Sequence, residues 1–110
     1  MKRAIVISRY GMGEGDPDLS LALMEKYFSC SLENQDIKDV YVFYNRGVCA
    51  ALQHENILKL LERIQQAGAL IYFCGTCLEF YGIASRLKVG KLCCMNDIRI
   101  VLNECRADFL

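Results

Sequence analysis

Apolar positions along the chain alternate between two regimes, unbroken short runs and stripes at helical spacing. Ala4-Ile5-Val6-Ile7-Ser8 is a continuous apolar run rich in β-branched residues, the pattern of a strand buried on both faces of a parallel sheet. Gly11, Gly13 and Gly15 follow at once. Asp16-Pro17-Asp18 then predicts a helix start, with Asp16 as N-cap, Pro17 at the first helical position and Asp18 in the electropositive first turn. Leu19, Leu23 and Tyr27, with Met24 and Phe28 beside them, form the stripe expected to be buried.

Val40 to Tyr44 predicts a second strand, closed by Asn45-Arg46-Gly47. From Glu55 to Ala67 the periodicity is clearest: Ile57, Leu60, Leu61 and Ile64 share one face, Lys59, Glu62 and Arg63 the other, and Gly68 terminates the helix. Ala69 to Phe73 predicts a third strand, and a helix is expected to start near Cys77 and run to about Tyr81. Lys91 to Cys94 reads as a short fourth strand. Asn96 is the expected cap of a last helix carrying Ile98, Val101, Leu102 and Cys105, and Ala107 to Leu110 could be a truncated fifth strand. Strand–helix alternation of this kind predicts an α/β fold, three layers α/β/α around a mostly parallel sheet of four to five strands, with residues 1–110 as a single domain. Ligands and chemistry in such sheets gather beyond the carboxyl ends of the strands. The loops there are Arg9–Asp16, Asn45–Ala50, Cys74–Cys77 and Met95–Asp97.

Composition narrows the functional classes. Hydrophobic residues make up 54% of the 110 positions and charged residues 24%, which supports a packed core rather than disorder. Thirteen basic residues balance thirteen acidic ones, so no nucleic-acid or anionic-membrane partner is indicated. Apolar runs of about five residues fall far short of a bilayer span. The apolar stretch after Met1-Lys2-Arg3 is too short for a signal-peptide core. A cytoplasmic protein is expected.

Seven cysteines cannot all pair within one chain, and most are expected to be reduced, small, buried hydrophobes. Cys74-Gly75-Thr76-Cys77 stands apart as a C-x-x-C pair between a buried strand and a helix. A helix start favours a thiolate, so Cys77 is expected to have a lowered pKa and to be the most reactive thiol. A thioredoxin-like reading fails because the single proline, Pro17, caps the first helix and cannot supply the proline loop of that fold. A zinc site fails as well. Cys93-Cys94 and His54 are the only further ligands, adjacent cysteines rarely face one metal, and a second C-x-x-C is missing. His54, just ahead of a helix, is expected to be a solvated capping residue. The loop Gly11-Met12-Gly13-Glu14-Gly15-Asp16 has G-x-G-x-G spacing, two acids and no P-loop lysine, so it is expected to shape a pocket wall rather than to cradle a nucleotide. No cofactor or metal is expected.

Several segments in order carry a family resemblance: Gly11-Met12-Gly13 with Gly15-Asp16, Phe43-Tyr44-Asn45-Arg46-Gly47-Val48, Cys74-Gly75-Thr76-Cys77-Leu78-Glu79-Phe80-Tyr81-Gly82, and Val89-Gly90 with Met95-Asn96-Asp97-Ile98. Over nearly its whole length the chain resembles the DsrE/DsrF-like family, and within it the carboxy-terminal domain of YedF-type, sulfurtransferase-like selenium metabolism proteins. The resemblance implies a sheet of about five parallel strands and homo-oligomers, trimers or hexamers with a dimer as a further option. It also implies a cysteine that carries sulfur or selenium as a persulfide or its selenium equivalent. Carried over, Cys77 is the carrier, Cys74 its catalytic companion, and Asn45, Gly47, Gly13 and Asn96 line the site. YedF-type proteins carry a TusA-like domain ahead of this one. None precedes Met1 in this sequence, so the implied sulfur donor or acceptor is a separate protein, TusA-like in kind. The alternative function is a non-catalytic oligomeric domain that binds a small ligand or a protein partner at the same edge.

Overall fold

The computed structural model describes residues 1–110. Five strands, β1 (Arg3–Ile7), β2 (Val40–Phe43), β3 (Leu70–Cys74), β4 (Lys91–Cys93) and β5 (Arg106–Phe109), form one sheet in the order β4-β3-β2-β1-β5. Every pairing is parallel. All carboxyl ends therefore share one edge. Five α-helices connect them: α1 (Pro17–Glu33), α2 (Gly47–Leu52), α3 (Glu55–Gln66), α4 (Gly75–Phe80) and α5 (Met95–Glu104), with a short 3-10 turn at Ala84–Arg86. The expected three-layer α/β/α architecture is the observed one, and the truncated last strand exists, one residue earlier than Ala107–Leu110.

The two faces are unequal. One carries a core of 21 buried residues in which Ile5, Ile7, Tyr41, Phe43, Ile71 and Phe73 meet α1, α2 and α3. Phe43 and Phe73 stack there at 4.9 Å, and Phe28 of α1 meets Tyr41 edge-on at 6.1 Å. Such aromatic pairs add about 1 kcal/mol each beyond their burial. The opposite face holds a core of 7 buried residues, Ala4, Val40, Val42, Cys74 and Cys93 under Ile98 and Val101 of α5.

Asp16 caps α1 as expected, its Oδ1 accepting from Asp18 N at 2.9 Å and Leu19 N at 3.2 Å. The buried stripe is a correction: it runs Ser20, Met24, Phe28, Ser31, while Leu19 and Leu23 are 58% and 41% exposed. The reason is a close approach. Met12 N–H donates to the Ser20 carbonyl at 2.9 Å, and Gly11, lacking a Cβ, lies directly against the Ser20 backbone. Only a small side chain fits between that loop and the helix, which rotates the leucines outward.

Three helix starts differ from expectation. The segment Asn45–Ala50 is not a loop but leads into α2, all six of whose residues are buried, so it lacks the polar face that announces a helix. Helix α4 begins at Gly75 with Cys74 as N-cap, two residues before Cys77. Helix α5 is capped by Cys94 rather than Asn96: the Asp97 carboxylate accepts from Cys94 N at 3.0 Å and from its thiol at 3.2 Å. A reciprocal box of this kind satisfies donors a single Asn could not. Leu102, expected on the buried side of α5, is 40% exposed.

Candidate functional site

The site assembles where β2 and β3 end. Beyond β2 the chain turns through Asn45, whose φ of 52° puts it in the left-handed region that asparagine tolerates better than most residues. This turn aims the Asn45 backbone N–H at Cys77 Sγ, 3.0 Å away. Gly47 fixes the turn from behind, because its missing Cβ lets α2 start against the Ile7 carbonyl at the end of β1.

Cys77 sits in the third position of α4, half-buried, on the wall of an apolar groove of about 340 Å3. Tyr44, Thr76, Phe80, Tyr81 and Met95 complete the lining with Asn45. Phe80 is 81% exposed and Met95 64%. Phe80 and Tyr81 pack edge-on at 5.1 Å. The rim is therefore apolar and open to whatever approaches the sulfur.

Cys74 is buried beneath it, 2% exposed, and pairs in register with Cys93 of β4. Three thiols thus run inward from the groove, with only Cys77 at its surface. The expected lowering of the Cys77 pKa is not found. Burial pushes the thiol up, the Asn45 N–H pulls it part of the way back, and the neighbouring Cys74 pushes it up again. Helix α4 has only six residues, too few for a dipole that outweighs desolvation. Cys93 is pushed up to about 12, chiefly by burial.

The remaining expected residues fall in separate places. Asn45 lines the groove. Gly47 is a buried spacer that does not reach it. Gly13 lines a second, polar cavity on the other side of Asn45, as a pocket-wall role for its loop requires. Asn96 lies on the outside of α5, where its side-chain oxygen accepts from Arg99 at 3.0 and 3.1 Å, and its neighbour Met95 takes the place in the groove. His54 takes the expected N-cap position of α3, but its side chain makes no cap bond and is not free in solvent: its Nε2 shares a 2.7 Å hydrogen bond with Tyr10 Oη. Sequence reasoning missed Tyr44, Thr76 and Met95, though all three fall inside or beside the motifs that carried the resemblance.

A wholly parallel α/β sheet with a half-buried cysteine facing an apolar groove at its carboxyl edge defines a class of thiol-bearing three-layer proteins. The sequence profile of the DsrE/DsrF-like family matches residues 1–106, and the chain belongs to that family. The family is associated with sulfur relay. Among solved structures, a conserved protein of unknown function from Bacteroides thetaiotaomicron matches with a TM-score of 0.70 at 15% identity, covering 99% of this chain and 95% of that one. At that identity the likeness establishes the fold alone. Comparison with curated proteins gives no match. No helix is long and apolar enough to cross a membrane.

Proposed function

We propose that this protein is a cytoplasmic carrier of sulfane sulfur, or of selenium in the same role, and that Cys77 holds the cargo as a persulfide. The observation that carries the reading is the setting of Cys77 Sγ: alone among the Cys74, Cys77 and Cys93 thiols it lines the groove, and a backbone N–H reaches it at 3.0 Å.

The transfer conserves electrons. Cys77 thiolate attacks the outer sulfur of a donor persulfide, the S–S bond to the donor breaks, and the donor leaves as its thiolate. An acceptor thiolate then attacks the outer sulfur now on Cys77, and Cys77 leaves as the thiolate. The Asn45 N–H donates to the Cys77 sulfur in each anionic state. Burial raises the Cys77 pKa above its ordinary value, so at neutral pH the attacking species is the minor thiolate fraction. Cys74 supplies an exit: attack of its thiolate on the inner sulfur of the persulfide forms a Cys74–Cys77 disulfide and releases sulfide.

The exposed rim of Phe80 and Met95 suits a docking partner, either a TusA-like donor or acceptor or a second copy in a homo-oligomer. A purely binding domain would use the same rim without the thiol. Discharge separates the two. After exposure to inorganic polysulfide and desalting, addition of excess dithiol is expected to release one sulfide per chain. Cys77→Ser abolishes the release, and Cys74→Ser keeps it. Equal release from Cys77→Ser and the unaltered chain contradicts the carrier reading.

A further inference from the structure

The second cavity, about 340 Å3 in volume, lies under the loop that follows β1. That loop leaves the carboxyl end of β1, and the Asn45-Arg46 turn beyond β2 closes the cavity from the other side, at the sheet edge where ligand sites of open α/β folds gather. Its lining differs sharply from that of the cysteine groove. Arg9 and Arg46 stand over it with the segment Gly13-Glu14-Gly15 and the buried Ser20.

Neither guanidinium makes an ion pair or a hydrogen bond within the chain. The ion pairs of the chain are Arg3–Asp108 and Lys38–Asp36, and the guanidinium that is hydrogen-bonded is that of Arg99. Arg46 is nonetheless held in place. Its Cζ stacks 4.7 Å over the Tyr10 ring, and Tyr10 is anchored by its 2.7 Å hydrogen bond to His54. The backbone N–H groups of Gly13, Glu14 and Gly15 donate to no acceptor in the chain. Nothing occupies the space where a Cβ would stand on Gly13 or Gly15, so an approaching ligand can reach that backbone. The Asp16 carboxylate is turned onto α1 as its cap. Glu14 lines the cavity but pairs with neither arginine, leaving two cations to one anion around it.

Two guanidinium forks and three consecutive free N–H groups around one cavity supply donors only. A carboxylate, with two oxygens, leaves most of them unused. We propose that this cavity binds a small tetrahedral oxyanion, the phosphate or sulfate group of a free ion or of a small ester. The proposal stands whether or not Cys77 carries sulfur, although Asn45 forms the wall common to both sites.

The test is an amide NMR titration of the 15N-labelled full chain with inorganic phosphate, inorganic sulfate and glycerol 3-phosphate, at ionic strength held constant with chloride. Saturable shifts confined to Gly13, Glu14, Gly15 and the neighbouring turn are expected, with Arg9→Gln/Arg46→Gln weakening binding about tenfold or more. Sheet amides that keep their positions in the double variant show that its fold is intact. Tighter binding of the ester than of free phosphate marks a phosphoryl group on a larger molecule, and equal binding marks the free ion; both support the site. Shifts reproduced by chloride alone, no saturation by roughly 20 mM, or undiminished binding in the double variant overturns it.

Discussion

Gly47→Ala is the substitution whose cost follows most directly from the geometry. The φ of Gly47 lies outside the left-handed region, so the alanine backbone is permitted and only space decides. A Cβ there is driven into the Ile7 carbonyl and meets Ile7 Cγ2 at 3.3 Å. Ile7 cannot retreat: it is fully buried, and its carbonyl accepts the Tyr44 N–H at 3.1 Å. Overpacking against rigid neighbours costs about 1–3 kcal/mol, and a backbone obstacle belongs at the upper end. Against this stands a gain of up to about 1 kcal/mol from restricting the unfolded chain. The net loss is about 2 kcal/mol, or roughly 8 °C in Tm for a chain of this size. Gly75→Ala is the control. It also begins a helix, but its Cβ meets the Leu92 side chain at 3.2 Å, and Leu92 is 58% exposed and free to rotate. Its change is expected within about 1 kcal/mol. Thermal unfolding followed by circular dichroism, at one protein concentration, measures both. Melting temperatures within about 2 °C of each other refute the close-approach argument.

The other expectations concern thiols, acid and assembly. Because the Cys77 pKa is raised above its ordinary value, its alkylation rate is expected to climb about tenfold per pH unit from pH 7 to 9; a plateau below pH 8 contradicts this. Peptide mapping after limited alkylation is expected to find Cys93 unlabelled, since with its thiol pushed up to about 12 only about one in ten thousand is ionised at pH 8; labelling of Cys93 ahead of Cys77 refutes the burial order. Asp97 has a folded pKa below its unfolded value because Cys94 donates to it. Its contribution is complete above the ordinary carboxylate range and is lost as pH falls through the depressed value. Amide protection in the first turn of α5, taken relative to the intrinsic exchange rate at each pH, is therefore expected to fall below about pH 4, and unchanged protection there counts against the capping box. Light scattering is expected to give a particle larger than the 12.5 kDa chain, reduced in size by Phe80→Ser; a monomer at micromolar concentration rules out the homo-oligomer.

Legibility in the sequence followed the physical signal each element carries. Strands β1 to β3 are continuous apolar runs and α3 is strongly two-faced, so both were readable within a residue or two. Helix α2 was invisible because every one of its residues is buried. The rotation of α1 depends on Gly11 touching Ser20, a contact between distant loop and helix backbones that no periodicity encodes. Of the site, the C-x-x-C and its position at the sheet edge were legible, and so was Asn45 through the resemblance. The sign of the Cys77 shift was not, because it is set by tertiary burial and by the neighbouring Cys74, neither of which the position at a helix start encodes. Asn96 was misplaced, and the side-chain partner of the N-cap His54 was missed, for a related reason: Arg99 and Tyr10 are brought to them by the cap at Cys94 and by the path of the loop after β1.

The central claim is that Cys77 holds the cargo, and the most direct measurement is the mass and position of the added atom. The reduced protein is incubated with a persulfide donor, desalted and analysed intact, then digested under acidic conditions that preserve the adduct. A gain of about 32 Da, one sulfur atom, is expected on the peptide containing Cys77, absent from Cys77→Ser and retained in Cys74→Ser. An adduct of the same stoichiometry on Cys30, Cys94 or Cys105, or no adduct under conditions that load a simple low-molecular-weight thiol, contradicts the account.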